Sequence, residues 1–134
     1  MRRATIAREL VISAPNGPGV LAETTSRLYQ MGIGIVAVTV QVNGEHAEIR
    51  LLTDNESYAI EAMQGMQLPL EKREVVIVDL PNRLGFLGKL ADALGREGID
   101  ILDLYLTVAR GAPSALLVFT SSHNGKAVQM LRGH

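Results

Sequence analysis

The sequence has 134 residues, 47% of them hydrophobic and 20% charged, which suffices for one ordinary domain or two very small ones. A net charge of −1 gives no excess of positive charge that would attract nucleic acid or an anionic membrane surface. The absence of cysteine excludes disulfides and thiolate metal sites. No apolar run approaches the ~18 residues that span a bilayer, so we expect a cytoplasmic protein without nucleic-acid or membrane partners.

The first elements in chain order are a strand, a loop and a helix. Alternating apolar residues predict a strand over residues 5–14. Two prolines and two glycines in residues 15–19 end it and predict a loop. Pro18 is predicted to begin the helix. Proline has no backbone N–H, and in the first turn of a helix that N–H would have no acceptor in any case. Gly32 follows at the position of a helix C-cap.

A hairpin and a second helix come next. A β-branched run leads to Asn43-Gly44, the strongest short hairpin signal, and a further alternating run predicts a third strand. Asp54 or Asn55 is expected to cap the second helix. Residues 67–73, which Pro69 interrupts, can serve only as an edge strand.

The whole pattern then restarts. The loop Pro15-Asn16-Gly17-Pro18-Gly19-Val20-Leu21 returns 66 residues later as Pro81-Asn82-Arg83-Leu84-Gly85-Phe86-Leu87. Gly32-Ile33-Gly34-Ile35 returns as Gly98-Ile99-Asp100-Ile101 at the same offset. A longer turn around Pro113 shifts the last helix to an offset of 68, which identifies an internal repeat with an insertion in a turn.

The repeat predicts an α+β protein made of two tandem units, residues 1–73 and 74–134. Each has the split β-α-β order of a ferredoxin-like βαββαβ unit, the second lacking its last strand. A half of this size is marginally stable alone, so we expect the two to pack together. The missing strand would leave an open sheet edge, which favours a homodimer.

Residues that could support catalysis are few. His46, His123 and His134 are not at ligand spacing from one another or from paired carboxylates. Asp100 and Asp103, three apart on one predicted strand, face opposite sides. Neither loop has the glycine and lysine spacing of a nucleotide-binding fingerprint. We therefore expect a protein that is not an enzyme and needs no cofactor or metal.

The two loops are better suited to binding. A glycine-rich turn between a strand and a helix presents unpaired backbone amides and the positive end of the helix dipole, which suits a carboxylate. Asn16 and Asn82 add side chains that both donate and accept hydrogen bonds. The alternative is that asparagine and glycine are simply turn residues in both places.

These residues resemble the ACT family of regulatory domains. The family pattern is an acidic or Asn residue, then x-Pro-Gly, a leucine-rich helix, and Gly-Ile-Asn-Ile opening the next strand. The loop at residues 16–21 with residues 32–35 is similar to it, as is the loop at residues 82–87 with residues 98–101. The resemblance implies a tandem pair of ferredoxin-like units that sense a small ligand, most often an amino acid, where two units meet.

The resemblance also implies which residues contact the ligand. They belong to the two loops and to the start of the strand that follows the second: Asn16, Gly17, Pro18, Gly19, Val20, Leu21, Asn82, Arg83, Leu84, Gly85, Phe86, Leu87, Asp100 and Ile101. Leu84 replaces the family's proline, and Gly34 replaces the residue that Asp100 supplies in the second half. The second half is therefore the better candidate, with Asp100 pairing with an α-ammonium group.

Three functions follow from the sequence. The leading hypothesis is a regulatory homodimer that binds an amino acid between ACT-like units and acts on a partner enzyme or regulator in trans. The alternative is a ligand-independent protein-interaction module that pairs sheet edges with a partner. The third is a small phosphate hydrolase, suggested only by Arg83 as a phosphate contact.

Overall fold

The computed structural model describes residues 3–133, which divide into two compact units. We call Arg8–Arg73 the first unit, and Met1–Ala7 together with Glu74–His134 the second unit. Residues 1, 2 and 134 lie outside the described part, so the interpretation of His134 lies outside it as well. Each unit combines β-strands with two helices, which confirms the predicted α+β class.

The first unit has the predicted order β-α-β-β-α-β. Its elements are β1 (Arg3–Pro15, here residues 8–15), α1 (Val20–Gln30), β2 (Ile35–Asn43), β3 (His46–Thr53), α2 (Glu56–Gln64) and β4 (Leu70–Pro81, here residues 70–73). The strand order is β2-β3-β1-β4, with β3 antiparallel to both β1 and β2. Both helices pack on one face of these strands, in a core of Leu10, Ile12, Leu28, Ile49, Leu51, Ala59 and Met63.

Local sequence signals explain the turns of this unit. The β2–β3 hairpin forms where Asn43-Gly44 predicts it, with Gly44 at φ 65, a value that glycine adopts without strain. The side chain of Asn55 caps α2 by accepting a 3.2 Å hydrogen bond from the N–H of Tyr58. Pro69 lies just before β4, and its carbonyl accepts from the N–H of Ser13 at 3.1 Å.

The second unit repeats the architecture. It contains residues 74–81 of β4, then α3 (Phe86–Arg96), β5 (Ile101–Thr107), β6 (Ser114–Ser121) and α4 (Asn124–Arg132). β6 is antiparallel to both β4 and β5. The core again lies between the strands and two helices, and includes Val76, Val78, Leu80, Leu90, Leu94, Leu117, Phe119, Ala127 and Leu131.

The start of β1 supplies the strand that the second half of the sequence lacks. The strand order in the second unit is β1-β4-β6-β5, where β1 contributes residues 3–7. Ala4 is 1% exposed within the core of this unit, and its carbonyl accepts a 2.9 Å hydrogen bond from Arg132 Nε. The open edge expected beside β4 is therefore occupied by the chain's own N-terminal strand, and residues 3–7 group with 74–133 instead of 8–73.

The outer strands β2 and β5 carry exposed apolar side chains. On β2 these are Ile35, Val36, Val38, Val40 and Val42, and on β5 they are Leu102 and Leu106. Val40 is opposite Ile49, and Leu106 is opposite Leu117, so each of these two side chains shares the face of its unit's core. The cores continue onto both outer strands as apolar surface that faces solvent.

Candidate functional site

Each repeated loop ends in a left-handed glycine that begins the next helix. Gly19 has φ 95 and Gly85 has φ 79, and no side chain caps either helix. The prediction that α1 begins at Pro18 is wrong, because a helix cannot run through the left-handed backbone of Gly19. α1 begins at Val20, and Pro18 belongs to the turn before it.

Two backbone N–H groups in the first turn of α3 lack a backbone acceptor in the described part of the chain. The N–H of Phe86 donates to the Arg83 carbonyl at 3.3 Å, and that of Lys89 to the Gly85 carbonyl at 3.1 Å. Between them, the N–H groups of Leu87 and Gly88 have no backbone acceptor within residues 3–133. They are the unpaired donors that a helix N-terminus offers to an anion.

Charged residues distinguish the two loops. The first turn of α1 contains Glu23, which pairs with Arg27 at 3.3 Å, whereas the equivalent residue of α3 is Lys89. Gly17 of the first loop corresponds to Arg83 of the second. The start of α3 therefore has two cations and no acid nearby in the sequence, whereas at α1 the acid Glu23 is offset by Arg27, so the second loop favours an anion more than the first. Glu23 and Lys89 are 66 positions apart, so their opposite charges could have been predicted from the repeat, but they were missed.

Asn82 tethers the second loop to the turn between β5 and β6. Its N–H donates to the Pro113 carbonyl at 3.0 Å, and its Nδ2 donates to the Ala112 carbonyl at 2.9 Å. In the first unit the N–H of Asn16 donates to the Glu45 carbonyl at 2.7 Å. One donor of the Asn82 side chain is thus used to position the loop.

A cavity of about 260 Å³ opens beside the second loop. Residues 80–88 form one wall, and they include every predicted site residue from Asn82 to Leu87. Leu106, Val108 and Ala115 form the other. Arg83 is the one charged residue in this lining, and its guanidinium has no hydrogen-bond or ion-pair partner in the described chain.

The first unit has a cavity on the face of its strands opposite the core, away from the first loop. A cavity of about 330 Å³ lies against Ser13, Gln41, Asn43, His46, Ala47 and Glu48, and none of residues 16–21 contributes to it. Five of its six lining residues are polar or charged, and among them Glu48 is paired with Arg50 at 2.9 Å. The six predicted site residues of the first loop are exposed or half-buried.

Asp100 and Ile101 lie far from the second loop. Pro81 is opposite Ser114 at one end of β6, while Ile101 is opposite Ser121 at the other. The seven residues of β5 span about 20 Å, so one unit does not bring Asp100 to the loop. Its carboxylate has no partner in the described residues, although its N–H donates to Ser122 Oγ at 2.9 Å.

Gly34, the equivalent of Asp100, has a carboxylate beside it. Asp54 Oδ1 accepts a 2.9 Å hydrogen bond from the N–H of Gly34, and a Cβ on Gly34 would lie 2.6 Å from Asp54 Oδ2. Asp54 corresponds to Ser122 at the offset of 68. The acidic residue is thus Asp100, just before β5, in the second unit and Asp54, just after β3, in the first unit.

Other chemistry has little support in the described residues. His46 and His123 are exposed, and residues 3–133 contain no group of three histidine or acidic side chains arranged for a metal ion. Within the same residues, no helix combines the length and apolar character needed to cross a membrane.

Solved structures share this fold. Protein BT0572 from Bacteroides thetaiotaomicron matches with a TM-score of 0.88 and 25% identity over 97% of this chain and 89% of that one. The regulatory subunit of aspartate kinase from Thermus thermophilus, in its ligand-free form, matches with a TM-score of 0.69 and 14% identity over 98% and 95%. The same subunit from Thermus flavus gives 0.60 and 14% over 98% and 95%. No family model and no curated protein sequence matches the chain.

These similarities confirm the ferredoxin-like fold of ACT-type regulatory domains. The matched aspartate-kinase structures are regulatory subunits or domains and cover nearly the whole of this chain. At 14% identity or less, these regulatory structures establish the fold of this chain alone.

Proposed function

We propose that the protein is a cytoplasmic regulatory sensor that binds an amino acid between ACT-like units and acts on a partner enzyme or regulator in trans. The observation that carries the proposal is the cavity of about 260 Å³ beside the second loop, whose lining includes Arg83 and the residues Leu87 and Gly88 with unpaired backbone donors. The fold it shares with regulatory subunits supports a sensing role over a catalytic one.

The α-carboxylate of the ligand is assigned to the loop and the start of α3. The guanidinium of Arg83 presents paired donors in a geometry that matches a carboxylate. The N–H groups of Leu87 and Gly88 add donors at the positive end of the helix dipole. Lys89 in the first turn strengthens the same positive field.

The α-ammonium group is assigned to Asp100 of a second copy. β5 is an outer strand, and its second copy can add to it in antiparallel register about a two-fold axis. The start of β5 in one copy is then beside the end of β5 in the other, where the cavity is lined by Leu106. The unpaired Asp100 carboxylate of one copy can thereby approach the loop of its partner.

Coupling to a partner follows from this arrangement. A ligand held by the loop of one copy and by Asp100 of the other binds the dimer more tightly than the separated chains. It therefore shifts the population toward the assembled form, and a partner that recognises only one form responds to the ligand.

Thermal stability measured with each of the twenty amino acids tests the proposal. Ligand binding to the folded state raises stability by RT ln(1 + [L]/Kd), about 2.7 kcal/mol at a hundredfold excess over Kd. We expect at least one amino acid to raise the Tm at millimolar concentration. A Tm unchanged by all twenty would contradict amino-acid sensing.

A second candidate is a ligand-independent interaction module. The observation that favours it is the exposed valine row of β2, Val36, Val38, Val40 and Val42, on a strand at the end of the sheet order. An exposed apolar edge is a template for strand addition by another protein. A stable complex in a pull-down that no amino acid changes would favour this candidate over the sensor.

A further inference from the structure

We infer that the second-loop cavity selects amino acids with an apolar, uncharged side chain. This inference rests on the proposed function and specifies the ligand class for the same site. Six apolar residues line the cavity, from the end of β4, the loop, the start of α3, β5 and the residue after β5: Leu80, Leu84, Phe86, Leu87, Leu106 and Val108.

Several of these side chains remain exposed to solvent. Leu84 is fully exposed in the loop, and Val108 is 38% exposed just after β5. Leu87 and Leu106 are also exposed. Clustered apolar surface around a single guanidinium matches a ligand with one anionic end and one apolar end.

Charge and size limit the ligand further. None of the described residues that line the cavity has a carboxylate side chain, and Arg83 and Lys89 make its surroundings positive. A lysine or arginine side chain would be repelled there. About 260 Å³ is below the roughly 300–1,000 Å³ typical of sites for drug-sized ligands, which suits a single amino acid.

Calorimetric titration of the full chain with glycine, alanine, 2-aminobutyrate and norvaline tests the inference, because these amino acids differ by single carbons. Serine, aspartate and lysine serve as polar counterparts. Affinity should rise about three- to fourfold with each methylene that enters the cavity. Norvaline, with two more methylenes, should then bind about nine- to sixteenfold more tightly than alanine, and lysine should bind most weakly.

Val108→Asn is the test variant, and Val42→Asn is its matched control, because Val42 is the equivalent exposed position of the first unit. Val108→Asn should lower norvaline affinity at least fivefold and leave alanine affinity nearly unchanged, whereas Val42→Asn should change neither. Leu84→Asn, in a fully exposed position, provides a second variant with the same expectation.

The outcomes separate the two levels of the proposal. Equal affinity for all the amino acids, or tighter binding of serine, aspartate or lysine than of norvaline, would overturn apolar selectivity and leave amino-acid sensing in place. Norvaline affinity unchanged in both Val108→Asn and Leu84→Asn would also overturn it. Absence of binding by every amino acid would overturn both the selectivity and the proposed function.

Discussion

Gly34 and Asp54 are joined by two reciprocal hydrogen bonds. The N–H of Gly34 donates to Asp54 Oδ1 at 2.9 Å, and the N–H of Asp54 donates to the Gly34 carbonyl at 3.0 Å. Asp100 and Ser122 form the same pair in the second unit, with both bonds at 2.9 Å. The acidic residue of the pair therefore follows β3 in the first unit, as Asp54, and precedes β5 in the second unit, as Asp100.

Exchanging the two residues of the first pair should be tolerated better than changing one. Gly34→Asp alone should cost roughly 1–3 kcal/mol, because its Cβ would displace Asp54 and break the bond to residue 34. Adding Asp54→Ser reproduces the pair of the second unit and should recover about 1 kcal/mol or more. Urea denaturation of both single variants and the double variant measures the coupling; strictly additive effects would contradict it.

The N-terminal strand should be essential to the stability of the second unit. Ala4→Asp places a carboxylate in a site that is 1% exposed, and should cost roughly 2–5 kcal/mol. Thr5→Asp, at the exposed neighbouring position, should cost less than about 1 kcal/mol. Denaturant unfolding compares them, and similar losses in both would argue against the assignment of this strand.

The backbone of Gly85 should determine how α3 begins. Gly85→Ala forces an L-residue into φ 79 and should cost about 1–2 kcal/mol. Gly95→Ala, inside the same helix with no atom within 4 Å of its added Cβ, should stabilise by about 0.5–1 kcal/mol. Thermal unfolding gives the sign of each change, and stabilisation by Gly85→Ala would contradict the left-handed turn.

Arg83 should affect ligand binding without affecting stability. Arg83→Gln removes a charge-assisted carboxylate contact and should lower ligand affinity at least about tenfold, while unfolding stability changes by less than about 0.5 kcal/mol. Arg96→Gln is the control, since Arg96 is an exposed arginine at the other end of α3, paired with Asp92 at 3.0 Å. Calorimetric titration with the tightest amino acid compares them; equal effects of the two changes would exclude Arg83 from the site.

Much of the fold was predictable because its signals are local or repeated. The alternation at Leu10 and Ile12, the Asn43-Gly44 turn and the Asn55 cap each act over a few residues. Because the second half repeats the first, each element predicted in one half is also predicted at the equivalent residues of the other. The fourth strand of the second unit was not predictable in this way, since Ala4 and Arg132 interact across 128 positions of the chain.

The candidate site was predictable only in its location. The family resemblance points to the second loop, whose residues 82–87 line one cavity, and ligand binding there stays a prediction. Leu106 and Val108 were missed because their approach to the loop depends on how β5 pairs with β6. The sequence shows only that Gly34 lacks the side chain that Asp100 supplies in the second half. It does not show that Asp54 lies beside Gly34, because that contact forms only when β2 and β3 pair.

The central claim is that Arg83 of one copy and Asp100 of another form one ligand site, and mixing two variants tests it most directly. Arg83→Gln and Asp100→Asn should each bind the amino acid at least about tenfold more weakly than the unchanged chain. After subunit exchange, half of the dimers pair one variant with the other and have one intact site, so about one quarter of the tight sites should return. Calorimetric titration of the mixture that recovers no tight sites, or an Asp100→Asn protein that binds normally on its own, would contradict the claim.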